Sequence, residues 1–149
     1  MLGLLNISEA MSIALHTCVS LAGEQSGYHS ARQISEKFNF SPHHFAKVAQ
    51  QLARAEIIET ERGPSGGARL LRAPGKISLL EIHAAVGGAP KCKGCLLKHE
   101  ICKGSRCALG KMLAEENKRL VSMLGNTTLE DVANSLKASR AKKKTAGEE

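Results

Sequence analysis

Behind a pair of short helical patterns the chain carries R-G-P-S-G-G, from Arg62 to Gly67, set between two short apolar runs. This stretch limits the possible folds more than any other. Proline and clustered glycines stop a helix or a long strand, so Ile57 to Thr60 and Ala68 to Leu71 read as two short strands around a tight tip. Just before them, N-F-S-P-H-H-F offers Ser41 as an N-cap and Pro42 as a first helical residue. The helix they open is predicted to run to about Ala55, with Phe45, Val48, Ala49 and Leu52 on its apolar face. A preceding helix, Ala31 to Phe38, starts at Ser30 with Gln33 three residues on, the pattern of a capping box. Two short helices, a tight turn and a hairpin outline a winged helix-turn-helix.

The remainder of the chain extends this outline. Ser8 precedes a periodic run through Ala10, Ile13, Ala14, Cys18 and Leu21 that ends near Gly23. Ser78 and Glu81 form a second capping-box pattern and open a helix that stops at Gly87-Gly88. From about Ala108 to Leu124, Leu109, Met112, Leu113, Leu120, Val121 and Leu124 make a stripe on one helix, with Glu115, Lys118 and Arg119 opposite. Thr127 with Glu130 is read as the start of a short last helix to Leu136. The expected fold is therefore mainly α: a winged helix-turn-helix with a small two-stranded β wing and a long C-terminal helix. A second copy of that long helix is the simplest cover for its stripe, which makes it a dimerisation helix. Three parts are expected: a DNA-binding unit over 1–76, a cysteine-rich segment with its flanking helices over 77–136, and a basic disordered tail over 137–149.

In a winged helix the third helix enters the major groove and the wing reaches phosphates or the minor groove. Ser41, His43, His44, Lys47 and Gln51 on that helix, with Arg62, Ser65 and Arg69 on the wing, are the candidate contacts to double-stranded DNA. Charge supports this reading only in part. The chain of 149 residues has a net charge of +7, yet up to Lys76 eight Lys/Arg face six Asp/Glu. The surplus sits at Lys91, Lys93, Lys98, Lys103, Arg106 and Lys111, and in the A-K-K-K of the tail. A near-neutral front half also keeps open a winged helix that binds protein rather than nucleic acid.

Four of the five cysteines, Cys92, Cys95, Cys102 and Cys107, fall within sixteen residues. No secretory signal or membrane-spanning run is evident, so the expected compartment is the reducing cytoplasm, where clustered cysteines bind metal or do redox chemistry more often than they form structural disulfides. Four thiolates suit a 2Fe-2S or 4Fe-4S cluster, or a tetrahedral zinc. A thiol switch with no metal is the third possibility. The lysines around the segment either favour anionic sulfur or simply belong to a solvated loop. Cys18 lies on the apolar face of the first helix and reads as a small hydrophobe. No Ser/His/Asp or paired-carboxylate set is recognisable, and no strand-helix-strand pattern frames the C-x2-C, so the chain is not read as an enzyme.

The succession N-F-S-P-H-H-F-A-K-V, R-G-P-S-G-G-A-R-L, S-L-L-E-I, C-A-L-G-K-M-L and T-T-L-E-D-V resembles the Rrf-two family of bacterial winged-helix regulators, including its iron-sulfur-assembly (IscR-like) and nitric-oxide-sensing (NsrR-like) members. The resemblance covers Leu4 to Leu136. It implies a homodimer on operator DNA and a cluster on three cysteines, which here are Cys95, Cys102 and Cys107. The spacing departs from the family pattern, with six and then four residues between them and Cys92 as an extra thiol. The histidine that serves as fourth ligand in one branch is replaced by Gly110, and the N-terminal aspartate of the other by Ser8 and Glu9. Cys92 is therefore the leading fourth ligand, followed by Glu9 and His99. The expected function is a transcriptional regulator, repressor or activator, whose DNA affinity responds to redox, nitric oxide or iron-sulfur status.

Overall fold

The computed structural model describes residues 7–23, 27–61, 63, 67–88 and 107–145, with side chains as far as Ser139. Its elements are α1 (Glu9–Gly23), α2 (Ala31–Phe38), α3 (Pro42–Arg54), β1 (Ile58–Glu61), β2 (Gly67–Leu70), a single 3-10 turn at Pro74–Lys76, α4 (Leu79–Gly87), α5 (Ala108–Asn126) and α6 (Leu129–Thr145). This is a mainly α winged helix-turn-helix. The strands pair antiparallel, Ile58 opposite Leu70 and Glu61 opposite Gly67, one residue from the predicted bounds.

Local chemistry explains most of the boundaries. The Ser8 Oγ accepts the Met11 N–H at 3.2 Å and starts α1. Asn39 takes the left-handed conformation (φ 54) that ends α2, which a short polar side chain tolerates, and the chain then turns into Ser41-Pro42. Ser30 and Ser41 both occupy N-cap positions, but neither side chain makes a capping bond. The Ser30/Gln33 box expected for α2 therefore does not form. At α4 the Ser78/Glu81 box does form, in both directions. The box opening α6 uses Thr128 and Asp131 rather than Thr127 and Glu130: Asp131 accepts from the Thr128 N–H at 2.9 Å, and the Thr128 Oγ1 accepts the Asp131 N–H at 3.2 Å. The Thr127 hydroxyl instead donates to the Met123 carbonyl at the end of α5.

Two contacts join segments far apart in sequence. His29, in the connection between α1 and α2, pairs with Ala68 of β2 through two backbone hydrogen bonds of 2.9 Å, giving the wing a third, one-residue strand. Gly67 is required there, because a Cβ on it would overlap the His29 carbonyl. Ser78 likewise bridges Thr128, with Leu79 N–H to Thr127 O at 3.0 Å and Leu129 N–H to Ile77 O at 2.8 Å. Leu129 and Ala133 consequently enter the cluster formed by Ile13, Leu52, Ile58, Ile77 and Ile82. Each fully buried Leu or Ile contributes about 1.5–3 kcal/mol from removed apolar surface. Cys18 belongs to this cluster, and burial pushes its thiol up to about 12, which keeps it a neutral packing group. The polar residues beyond Leu136, read as a tail, continue α6 to Thr145. Alanine, lysine and arginine are strong helix formers, so polarity there did not imply loss of helix.

Candidate nucleic-acid interface and cysteine segment

Helix α3 buries Phe45, Val48, Ala49 and Leu52, which turns the opposite side outward. At 3.6 residues per turn, the centre of that outer face is held by His43, Lys47, Gln50 and Arg54, all exposed. His44 and half-buried Gln51 lie on its α1 side, and Ala46 lies on its wing side. A groove of about 900 Å³ runs along that second edge, walled by Ala31 and Arg32 of α2, Ala46 and Gln50 of α3, and Thr60 and Gly67 of the wing. Ala46 and Gln50 were not among the sequence-derived candidates, although their i, i+4 spacing beside Lys47 would have placed them on the same face.

The other candidate side chains fall in different settings. Ser41 is exposed at the N-cap of α3 and makes no capping bond, which leaves its hydroxyl and the first helical N–H groups available to an anion. His44 Nδ1 lies 3.1 Å from the Glu9 carboxylate at the start of α1, and the His43 and His44 rings are 6.2 Å apart. Arg69 is tied down: its Nε donates to Glu59, and its guanidinium lies 4.9 Å from the Tyr28 ring centre. Tyr28 Oη also donates to Glu59, at 3.1 Å. The Arg69 hydrogen bond holds the Glu59 carboxyl below its usual range, so this triad braces the wing against the α1–α2 connection. Arg62 and Ser65 lie outside the described residues. Between them Gly63 has φ 121, a conformation that favours glycine.

Of the clustered cysteines, Cys107 is described; Cys92, Cys95 and Cys102 lie outside the described residues, as does His99. Cys107 is the N-cap of α5, half-buried, and its sulfur accepts the Gly110 N–H at 3.3 Å. Cysteine is not a usual N-cap, and helical periodicity alone had not assigned it that place. Among the described residues no three His, Cys, Asp or Glu side chains converge as a metal site. Along α5 itself, Leu113, Leu120, Val121 and Leu124 are half-covered, while Leu109, Met112 and Met123 are exposed. No helix among the described residues is long and apolar enough to cross a membrane.

Comparison with known proteins agrees with this architecture. The family model Rrf2, described as an iron-dependent transcriptional regulator, matches residues 7–135. The HTH-type transcriptional regulator BadM of Rhodopseudomonas palustris is 35% identical over 80 residues, 54% of this chain and 51% of that protein, so the match spans about half of the relative's length. IscR of Xenorhabdus nematophila is 26% identical over 126 residues, covering 85% of this chain and 73% of that one. Among solved structures, the oxidized form of Staphylococcus aureus CymR superposes with a TM-score of 0.71 at 25% identity, covering 87% of this chain and 96% of the other.

Proposed function

Since this chain belongs to the Rrf2 family of transcriptional regulators, we propose that it acts in the cytoplasm as a homodimer on double-stranded operator DNA, and that an iron-sulfur cluster held by the segment from Cys92 to Cys107 sets its affinity. In this reading residues 1–76 contact DNA, and 77–136 carry the signal and the dimer surface. His43, His44, Lys47 and Gln51, joined by Gln50, meet base edges. Ser41 and the α3 N-terminus hold a phosphate, and Arg62, Ser65 and the glycines of the wing tip follow the backbone beyond. Arg69 acts by bracing the wing.

The observation that carries the switch is the position of Cys107 at the first turn of α5. Any group gripped by Cys92, Cys95, Cys102 and Cys107 pulls on that turn, next to the exposed Leu109 and Met112 through which a second copy would pack. The donor set fits an iron-sulfur cluster: four sulfurs, one of them already accepting a backbone N–H at the positive end of a helix dipole. When bound, such a cluster supplies redox and nitric-oxide sensitivity; the chain's own part is to convert a change at Cys107 into a change in the angle between two DNA-binding units. Linkage requires the DNA-competent form to bind its effector more tightly on DNA.

The test is the absorption spectrum and the iron, sulfide and zinc content of protein purified without oxygen. Brown protein with matching iron and sulfide, lost in Cys102→Ala with the fold intact, is the expected result. Colourless protein with one zinc per chain overturns it in favour of a structural metal. A second reading, a metal-free thiol switch, draws on the likeness to CymR, whose solved form is described as oxidized. Metal-free protein whose DNA affinity changes with oxidant would establish that reading. In every version, affinity for DNA should fall steeply as salt rises.

A further inference from the structure

The contact between Glu9 and His44 has no part in the function proposed above. Glu9 opens α1, and that first turn is fixed by Ser8, whose Oγ and carbonyl accept from Met11 and Ser12. His44 is the third residue of α3, within the turn whose side chains reach base edges in a helix-turn-helix. Its Nδ1 faces the Glu9 Oε1 at 3.1 Å, and both side chains are more than half exposed (52% and 65%). A contact so open to water adds little to stability. Structural support of the fold is therefore a poor account of it.

Its geometry points to recognition instead. A carboxylate on Nδ1 decides which ring nitrogen keeps its proton and fixes the plane of the imidazole, so Nε2 is the ring nitrogen left to meet DNA. The same carboxylate repels phosphate. It stands beside the helix meant to lie against phosphates, and near the uncapped α3 N-terminus that would attract one. An acidic group in that position weakens binding to every duplex, unless the histidine it orients regains the loss on the right sequence. That combination raises the ratio of specific to non-specific affinity without raising affinity itself.

We infer that Glu9 is a positioning residue for DNA specificity: it presents His44 in one orientation to a base edge and disfavours duplexes that His44 cannot engage. The inference rests on α3 reading DNA. The experiment is a four-protein cycle of wild type, Glu9→Gln, His44→Ala and the double variant. Each is titrated with a duplex enriched by wild-type protein from a randomised pool, and with a scrambled duplex of equal composition. Glu9→Gln is expected to bind the scrambled duplex more tightly and to lower the selectivity ratio by about three- to tenfold. His44→Ala should lower the ratio similarly, and the double variant no further. An unchanged ratio in Glu9→Gln, or fully additive losses, would overturn the inference. If wild type binds no duplex in a salt-dependent way, the DNA reading itself fails. If it binds normally and His44→Ala is as selective as wild type, only the role given to Glu9 and His44 fails.

Discussion

Helices α3 and α5 are both amphipathic, yet the chain treats them oppositely. α3 has 13 residues and buries Phe45, Val48, Ala49 and Leu52; α5 has 19 and buries Gly110. The apolar side of α3 is met by α1, α2, α4 and β1. α5 lies mainly on α4 and leaves Leu109, Met112 and Met123 toward solvent. Exposed apolar side chains grouped on one helix mark a candidate interaction surface, whereas covered ones are core. On this basis α3 is fixed by the core with one face left outward, and α5 keeps Leu109, Met112 and Met123 in solvent, which is what the DNA-reading and dimer roles proposed above require.

The sharpest way to break that contrast is to cut the same side chain from both helices. Leu52→Ala removes a fully buried group from α3 and should cost about 2–5 kcal/mol in urea or thermal unfolding. Leu109→Ala, at a 48% exposed position, should cost well under about 1 kcal/mol in dilute protein. Equal losses would mean that α5 is already buried in the isolated chain.

A second substitution tests whether the front half is one interlocked unit. Gly67→Ala drives a methyl into the His29 carbonyl, so the His29–Ala68 pairing must open. The expected cost is about 1–3 kcal/mol, with faster amide exchange at His29 and Ala68 and weaker DNA binding. Unchanged exchange at those amides would show that the one-residue strand does not hold the wing.

The third prediction concerns the uncovered face. Met112→Glu places a charge at an exposed apolar position of α5, leaving the monomer fold intact by circular dichroism. Sedimentation should show the dimer dissociation constant raised at least about tenfold, or roughly 1.4 kcal/mol. A protein that stays dimeric at low concentration would move the interface elsewhere.

These contrasts also show which parts of the fold could be read from the sequence. Helix starts and stops rest on nearest-neighbour chemistry, so Ser8, Ser41-Pro42, Ser78-x-x-Glu81 and the glycine pair at 87–88 located α1, α3 and α4 to within a residue or so. Contacts between distant segments leave no such mark. Nothing in G-Y-H-S announces that His29 will pair with Ala68, nor does any local pattern tie Arg69 to Glu59 and Tyr28, or Glu9 to His44. Motifs also permit more than they compel: S-x-x-Q at Ser30 forms no box, while Arg32 on that turn pairs with Glu36 at 2.7 Å. Of the two adjacent threonines the sequence reading took Thr127 with Glu130 as the start of α6, one residue early: the box and the bridge to Ser78 both use Thr128. For the candidate contacts on α3, the sequence reading took half-buried Gln51, where Gln50 is the more exposed side chain.

The smallest expected effect lies where the two regions meet, at the paired capping boxes that start α4 and α6. The Glu81 carboxyl is held below its usual range chiefly by the Ser78 backbone N–H, with Arg72 adding to the effect at 2.9 Å, and Asp131 is held down by the Thr128 hydroxyl and N–H. A carboxyl whose folded pKa is depressed contributes stability above its unfolded value, near 4 for Asp and Glu, and loses it as pH falls through the folded value. Unfolding free energy should therefore decline on acidification below about pH 4–5. Ser78→Ala removes the cap acceptor and should cost about 1 kcal/mol at neutral pH, with a shallower acid decline because Glu81 has lost its hydroxyl partner. An acid decline as steep as wild type in Ser78→Ala would leave the Ser78 backbone N–H and Arg72, not the hydroxyl, as the groups that hold Glu81 down. Since Ser78 and Thr128 also share a backbone bridge, the variant should loosen the start of α6 along with α4, visible as faster exchange of the Leu129 amide. If Leu129 kept its protection, the two boxes would be independent caps rather than one joint between the winged-helix half and the helices behind it.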